Sequence, residues 1–458
     1  MSFLGRTLVA ALLLGWLWTL PPAGLRAEEP VWKVGTAAAR ITPEKPLWMA
    51  GYGGRDHPAE GKLHDLWIKV LALEAADGQR AVLITSDVCG FSRASYEAIC
   101  AGVKRRTGLE PAQIMLSCSH THSGPALREC LQDYYPMDDK QRALNDQYTL
   151  ELEKTIVDKV AEALAHLEPA TLWAGEGKTD FAVNRRNNPE ADVPDMLRRG
   201  EALKGPVDHS VPVLAVRRPD GALRAVAFGY ACHATTLSGY EWCGDYAGFT
   251  QIALEKSHPG ALAMFHAGCG ADQNPIPRRS VELCEKYGQM LAAAVDEVLG
   301  RPMRPIEPRL RTAMEVVSLD YERTMTRPEL EDYVRNGGLY GRWARRMIGQ
   351  LDGGKTFAQG YPYTIGVWRL GADQLWISLA GEAVVDYSLG LKAKYGPHTW
   401  VTSFTQDLVA YIPSRRVWNE GGYEGGYLGE YGHPAQRWSP DVEDRILAAV
   451  DRLVERVK

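Results

Sequence analysis

Beyond its first residues the chain lacks any apolar run long enough to cross a bilayer, which takes roughly 20 residues, so nothing downstream is expected to span a membrane. It lacks a Pro/Ser-rich linker, a low-complexity tract and any repeat of fixed period. Those absences exclude a string of small domains and favour one large domain with long, structured connections. A basic stripe is missing too. The net charge is -5 with both signs interspersed, which excludes a nucleic-acid surface as a partner. The eight cysteines (Cys89, Cys100, Cys118, Cys130, Cys232, Cys243, Cys269 and Cys284) include no pair at zinc-finger spacing. Their even number permits disulfides without setting a connectivity, and buried thiols are the simpler reading.

What is present begins with a targeting signal. Arg6 precedes an apolar run from Leu8 to Leu20, followed by Pro21-Pro22 and small residues, with Ala27 as a cleavage site before Glu28. This three-part layout reads as a signal peptide over 1–27 and an exported protein over 28–458, periplasmic, extracellular or at the cell surface. A retained N-terminal anchor is the alternative. The remainder is expected to be soluble or peripheral to a membrane.

Three segments share a hairpin design. Val70 to Asp87 turns at Asp77-Gly78, Val213 to His233 at Pro219-Asp220-Gly221, and Thr364 to Glu382 at Gly371-Ala372-Asp373. Turn residues between apolar, β-branched runs are the strongest short-range hairpin signal. Each second strand ends in a polar residue: Asp87, His233 and Glu382. A fourth strand, Ile114-Met115-Leu116, leads to His120 and His122. Leu152, Ile156, Val157, Val160, Leu164 and Leu167 mark one face of a helix. Leu283 to Leu299 reads as a second helix, and Ser439-Pro440-Asp441 as the start of a third, closing helix. Strands and helices in mixed order predict an α/β domain of mixed sheets flanked by helices.

The chemistry concentrates in Ser-Cys-Ser-His-Thr-His-Ser-Gly-Pro, residues 117–125. On a strand, His120 and His122 would share a face, suited to a zinc ion or to one ligand beside one catalytic base. His233 follows a long apolar strand, a poor place for an ionisable group without a partner. Glu382 follows Leu375 to Gly381, where an unpaired carboxylate is costly to bury. Two histidines and a carboxylate leave zinc an open position, the catalytic arrangement.

At this point the chain resembles the neutral, non-lysosomal ceramidases, from about Val34 to Gly426. The shared blocks are Val34-Gly35, Ile41-Thr42-Pro43, Met49-Ala50-Gly51-Tyr52, Thr85-Ser86-Asp87, the His-Thr-His-Ser-Gly-Pro block, Asn184-Arg185, the His233 block, Gly381-Glu382, Tyr411-Ile412-Pro413 and Tyr423-Glu424-Gly425-Gly426. The resemblance implies His120, His233, Glu382 and Tyr411 as zinc ligands. It implies His122 as a proton carrier beside the metal, with Arg185 and Tyr423 at the oxyanion or acyl oxygen. The implied activity is hydrolysis of an N-acyl amide by zinc-bound water, ceramide to sphingoid base and fatty acid by default.

Two departures bear on that expectation. The family carries Gly-Asp-x-Ser-Pro, whereas aligning Asp272 and Pro275 places Asn274 at the serine. Asparagine is no covalent nucleophile, but it orients water or donates an N–H. The extra C-terminal β domain that such ceramidases often carry also has no counterpart, which points to a less lipidic substrate. The alternatives are a zinc hydrolase of the same fold acting on an acylated sugar or small amide, or a secreted binding protein without catalysis.

Overall fold

Hairpins build the sheet that carries the site. In the computed structural model, which describes Met1 and residues 31–458, Trp67–Glu74 and Arg80–Ser86 run antiparallel with Leu71 opposite Leu83. Asp77 and Gly78 make the turn: Asp77 Oδ1 accepts the Gln79 N–H at 3.2 Å, and Gly78 takes a φ of 80° that side chains resist. Ser210–Arg217 with Leu223–Tyr230, and Gly360–Leu370 with Gln374–Ala380, repeat the arrangement. All three expected hairpins are present, each starting a few residues early. The expected signal segment lies outside the described residues.

These strands join one 13-stranded mixed sheet. At its centre Arg80–Ser86 and Ile114–Cys118 are parallel, and Thr399–Thr405 links Ile114–Cys118 to Gln374–Ala380. Ile114–Cys118, Thr399–Thr405 and Gln374–Ala380 are buried along their whole length. Such strands need cover on both faces, which explains their continuous apolar runs.

Helices supply much of that cover. Asp139–Ala165 lies over Trp32–Arg40 and Trp67–Glu74, burying Leu152, Ile156 and Val160. Each such aliphatic side chain contributes about 1.5–3 kcal/mol. Leu167 lies past the end of this helix. Val281–Leu299 is capped by Ser280, whose hydroxyl accepts the Leu283 N–H, and packs on Glu168–Lys178 and Ser210–Arg217. The closing helix is Val442–Arg456, over Leu310–Asp320 and Gly360–Leu370. Its first turn differs from expectation: Asp441 is the cap residue, and its carboxylate turns to Arg445 at 2.6 Å instead of capping. The eight cysteines are buried free thiols. Residues Val31–Lys458 form one compact unit, and no described helix is long and apolar enough to cross a membrane.

The site residues follow the ends of buried strands of this sheet. His120 and His122 follow Ile114–Cys118, His233 follows Leu223–Tyr230, Glu382 follows Gln374–Ala380, and Tyr411 follows Thr399–Thr405. Asp87 leaves Arg80–Ser86 in the same way but does not join them. Its carboxylate accepts the Trp67 N–H at 2.9 Å and the Gln251 amide at 3.4 Å, an internal brace.

Candidate metal centre

The two histidines of the 117–125 block do not lie on a strand. Ile114–Cys118 ends before them, and His120 adopts a φ of 57°. A left-handed non-glycine residue costs about 1–3 kcal/mol and persists only where its surroundings impose it. Here Ser119 N–H donates to Ser86 O at 2.9 Å, Thr121 Oγ1 to Cys243 O at 2.7 Å, and His122 N–H to Ala234 O at 3.2 Å. The reversal, rather than strand alternation, brings His120 Nε2 to 3.1 Å from His122 Nε2.

Glu382 and Tyr411 are neighbours for a different reason. Glu382–Ala383 and Tyr411–Ile412 form a short parallel ladder in which Glu382 faces Tyr411. Gly381 makes the approach possible: its φ is 65°, and a Cβ there would stand 2.5 Å from Val409 Cγ1 and 2.7 Å from the Ala410 carbonyl. His233 is held by its N–H to Gln273 O at 2.9 Å.

The imidazoles are turned with one nitrogen each toward a common point. His120 Nδ1 donates to the Cys89 carbonyl at 2.7 Å and His233 Nδ1 to the Gly270 carbonyl at 2.8 Å. A carbonyl only accepts, so both protons sit on Nδ1 and both Nε2 atoms present lone pairs. Glu382 Oε2 lies 3.5 Å from His120 Nε2 and 3.2 Å from His233 Nε2. His120, His233 and Glu382 are 2%, 1% and 2% exposed. His233 Nε2 and Glu382 Oε2 are buried without a hydrogen-bond partner among the described residues. Each such orphan costs about 1–3 kcal/mol. One divalent cation among two imidazoles and a carboxylate satisfies both, so the residues fit a metal.

The electrostatics favour the same occupant. Burial pushes His120 down to about 4 and also lowers His233, so both stay neutral. Burial alone would raise Glu382, but the hydroxyl that Tyr431 donates favours its charged form and the carboxyl lies below the usual range. Glu382 thus brings a negative charge that no lysine or arginine among the described residues pairs.

Around this centre stand the other sequence-predicted residues. Arg185 and Asn274 come together through the antiparallel pair Ala182–Asn184 and Gln273–Pro275. Arg185 donates from Nη2 to Tyr411 Oη at 3.0 Å and from Nη1 to Asn274 Oδ1 at 3.3 Å. Burial raises the Tyr411 phenol, and that guanidinium opposes the rise. Because Arg185 only donates, Asn274 must point its oxygen at it, which turns the amide NH2 away. Tyr423 lies at the rim, 39% exposed, its ring 5.0 Å from that of Tyr411. Its hydroxyl donates to Glu430 at 3.2 Å. The structure therefore gathers His120, His122, His233, Glu382, Tyr411, Arg185, Asn274 and Tyr423 into one continuous set of side-chain contacts.

The family model of the N-terminal part of neutral/alkaline non-lysosomal ceramidases matches residues 32–270, more than half of the chain. The chain belongs to this ceramidase family. Its fold is also that of solved members. The neutral ceramidase from Pseudomonas aeruginosa superposes with a TM-score of 0.70 at 18% identity, over 93% of this chain and 75% of that one. A ceramidase complexed with C2 gives a TM-score of 0.67 at 18% identity, over 93% and 76% of the two chains. No curated protein sequence matches significantly.

Sequence reasoning overlooks four residues of this ceramidase-family site. Gly51 is one: a Cβ there would fall 2.2 Å from His122 Cγ, so the Met-Ala-Gly-Tyr block makes room for that ring. Glu424 is another, binding Arg185 Nε at 2.7 Å and Arg186 Nη1 at 2.6 Å. The motif containing it was a usable signal, but its tyrosine drew the attention. Glu430 and Tyr431 lie past the resembling blocks and carry no local signal.

Proposed function

We propose that this protein is a zinc-dependent hydrolase of N-acyl amides, with ceramide or a related N-acyl sphingoid lipid as its default substrate. The observation that carries the proposal is the convergence of His120 Nε2, His233 Nε2 and Glu382 Oε2 in a buried, anionic cluster. Tyr411 is the fourth ligand in this reading. Zinc bound there would lower the pKa of water toward about 7 and polarise the acyl carbonyl.

The chain's own residues divide the remaining work. Attack on the acyl carbon develops an oxyanion, for which Asn274 and Arg185 are the donors in this reading. Asn274 directs its NH2 group away from Arg185. Of the five guanidinium N–H groups of Arg185, three are committed to Glu424, Asn274 and Tyr411, which leaves two for a ligand. An oxyanion donor typically lowers the barrier by about 3 kcal/mol. The leaving amine needs a proton, and His122 is the carrier in this reading, its Nε2 lying 3.1 Å from His120 Nε2. Tyr423, half-exposed at the rim, holds the acyl oxygen or the amide as it enters.

Asn274 in place of the family's serine favours a second substrate reading on the same chemistry, an acylated sugar or other small acyl compound. We also infer export directed by residues 1–27, with Glu28 as the first residue of the mature protein. N-terminal sequencing of secreted material tests this, and a start at Met1 would contradict it. Function is tested by a metal-replete screen across ceramides, N-acyl amino acids, N-acetyl sugars and acyl esters. The expected result is amide hydrolysis abolished by His120→Ala and His233→Ala together with the bound metal. Metal retained at one equivalent in both variants would refute the assignment.

A further inference from the structure

We propose that Tyr431 is a positioning residue of the metal centre, holding one oxygen of Glu382 so that the carboxylate meets the cation through the other oxygen alone. The inference rests on the reading of His120, His233, Glu382 and Tyr411 as a metal-binding set. Tyr431 Oη donates to Glu382 Oε1 at 2.5 Å, the length of a charge-assisted O–H···O⁻ bond. The two carboxylate oxygens are therefore not equivalent. Oε1 has a donor, while Oε2 is the buried orphan beside His120 and His233. Without the phenol, both oxygens of a rotating carboxylate are available to a cation. The same ring stands edge-on to Tyr411 at 5.8 Å between centroids, so Tyr431 touches two members of the set.

A donor positions its partner only if it is itself held, and the turn that carries Tyr431 is held from several sides. Leu428–Tyr431 is a single 3-10 turn, flanked by left-handed backbone at Tyr427 and Gly432. The neighbouring Glu430 accepts hydroxyls from Tyr340 at 2.6 Å and Tyr134 at 3.1 Å, besides Tyr423. On the other side His433 bonds the Val409 carbonyl at 2.8 Å, and the Trp343 indole donates to the His433 carbonyl at 2.9 Å. The first bond ties the turn to the segment that leads into Tyr411, the second to the helix Gly338–Asp352. The hydroxyl of Tyr431 is thus fixed in space before any metal arrives, and Glu382 is fixed with it. Partners that orient metal-binding carboxylates in this way typically change metal affinity 10–100-fold.

The test uses the full chain with Tyr431→Phe, which keeps the ring packing and removes the hydroxyl. Zinc affinity is measured by competition with a chromophoric chelator, and the cobalt-loaded protein by visible absorption, neither of which needs a substrate. The expected result is one metal per chain in both proteins, affinity weakened about 10–100-fold in the variant, and a weaker cobalt band as the carboxylate becomes bidentate and the coordination number rises. Unchanged affinity and spectrum would overturn the proposal while leaving the metal centre standing. Weakened affinity with an unchanged cobalt spectrum would also overturn it, because a general loosening of the site gives that result without a change in how Glu382 binds. A wild-type protein that binds no metal would overturn the metal centre itself. Should Tyr431→Phe not fold, as judged by circular dichroism of the metal-free protein, Tyr431→Leu is read by the same outcomes.

Discussion

Glu424→Gln changes one atom of a side chain that is 3% exposed and wedged between two guanidinium groups. Its two oxygens are divided, Oε1 to Arg185 Nε at 2.7 Å and Oε2 to Arg186 Nη1 at 2.6 Å. Glutamine supplies one acceptor where the site needs two, and its NH2 group then faces a guanidinium, donor against donor. One hydrogen bond to a charged group is lost, worth about 1.5–3 kcal/mol. Breaking a buried pair brings the cost to about 3–5 kcal/mol, because the stranded charge remains buried. Arg186 keeps Glu420 at 3.0 Å and the Gly421 carbonyl at 2.9 Å, so Arg185 suffers the larger loss. We expect unfolding free energy to fall by about 3 kcal/mol in urea titrations at unchanged slope. Turnover should fall with it, as Arg185 shifts from Tyr411 and Asn274. A midpoint displaced by the equivalent of less than about 1 kcal/mol would refute the reasoning, since it would mean that the two arginines do not depend on this carboxylate.

Three further outcomes follow from the same geometry. Asn274→Ala should lower turnover about 100-fold or more, as for other oxyanion donors, with metal content unchanged. Kinetics matching the wild type would reduce Asn274 to a structural role. Gly381→Ala should destabilise the fold and weaken metal binding, because the new Cβ meets Val409 and the Ala410 carbonyl and the backbone φ of 65° disfavours alanine; an unaltered melting temperature would contradict this. His64 gives a pH dependence remote from the ligands. Burial would depress its pKa, but a 3.2 Å contact with Cys243 Sγ and the negative charge of that group as thiolate raise it to about 9. A raised histidine stabilises fully below its unfolded value near 6.5 and loses that contribution as pH rises through about 9. The melting-temperature gap between wild type and His64→Gln should therefore be constant below pH 6.5 and shrink between there and about pH 9. A gap that widens with pH would refute it.

Much of the fold was legible because its signals are local. Asp77-Gly78, Asp220-Gly221 and Gly371 announce turns within a few residues, and the strands beside them follow. His233 and Glu382 stood out because an ionisable group after a buried strand has to be compensated. The His120–His122 pair was legible as a pair, but its cause was not. Alternation along a strand was expected, whereas a left-handed residue held by Ser86, Cys243 and Ala234 does the work. No spacing rule reports such a reversal. The groups that finish the site are remote in sequence from what they hold. Tyr431 reaches Glu382 across 49 residues and Glu424 reaches Arg185 across 239. The pinned turn at 428–433 brings in Tyr431, and the separate turn Tyr423–Gly425 brings in Glu424.

The central claim is that four side chains share one cation. Crystals of the metal-loaded protein, measured on either side of the zinc absorption edge, address it directly. The expected result is a single anomalous peak bonded at about 2.0–2.2 Å to the Nε2 atoms of His120 and His233 and to oxygens of Glu382 and Tyr411. A peak elsewhere, or none in a protein that hydrolyses amides, would contradict it.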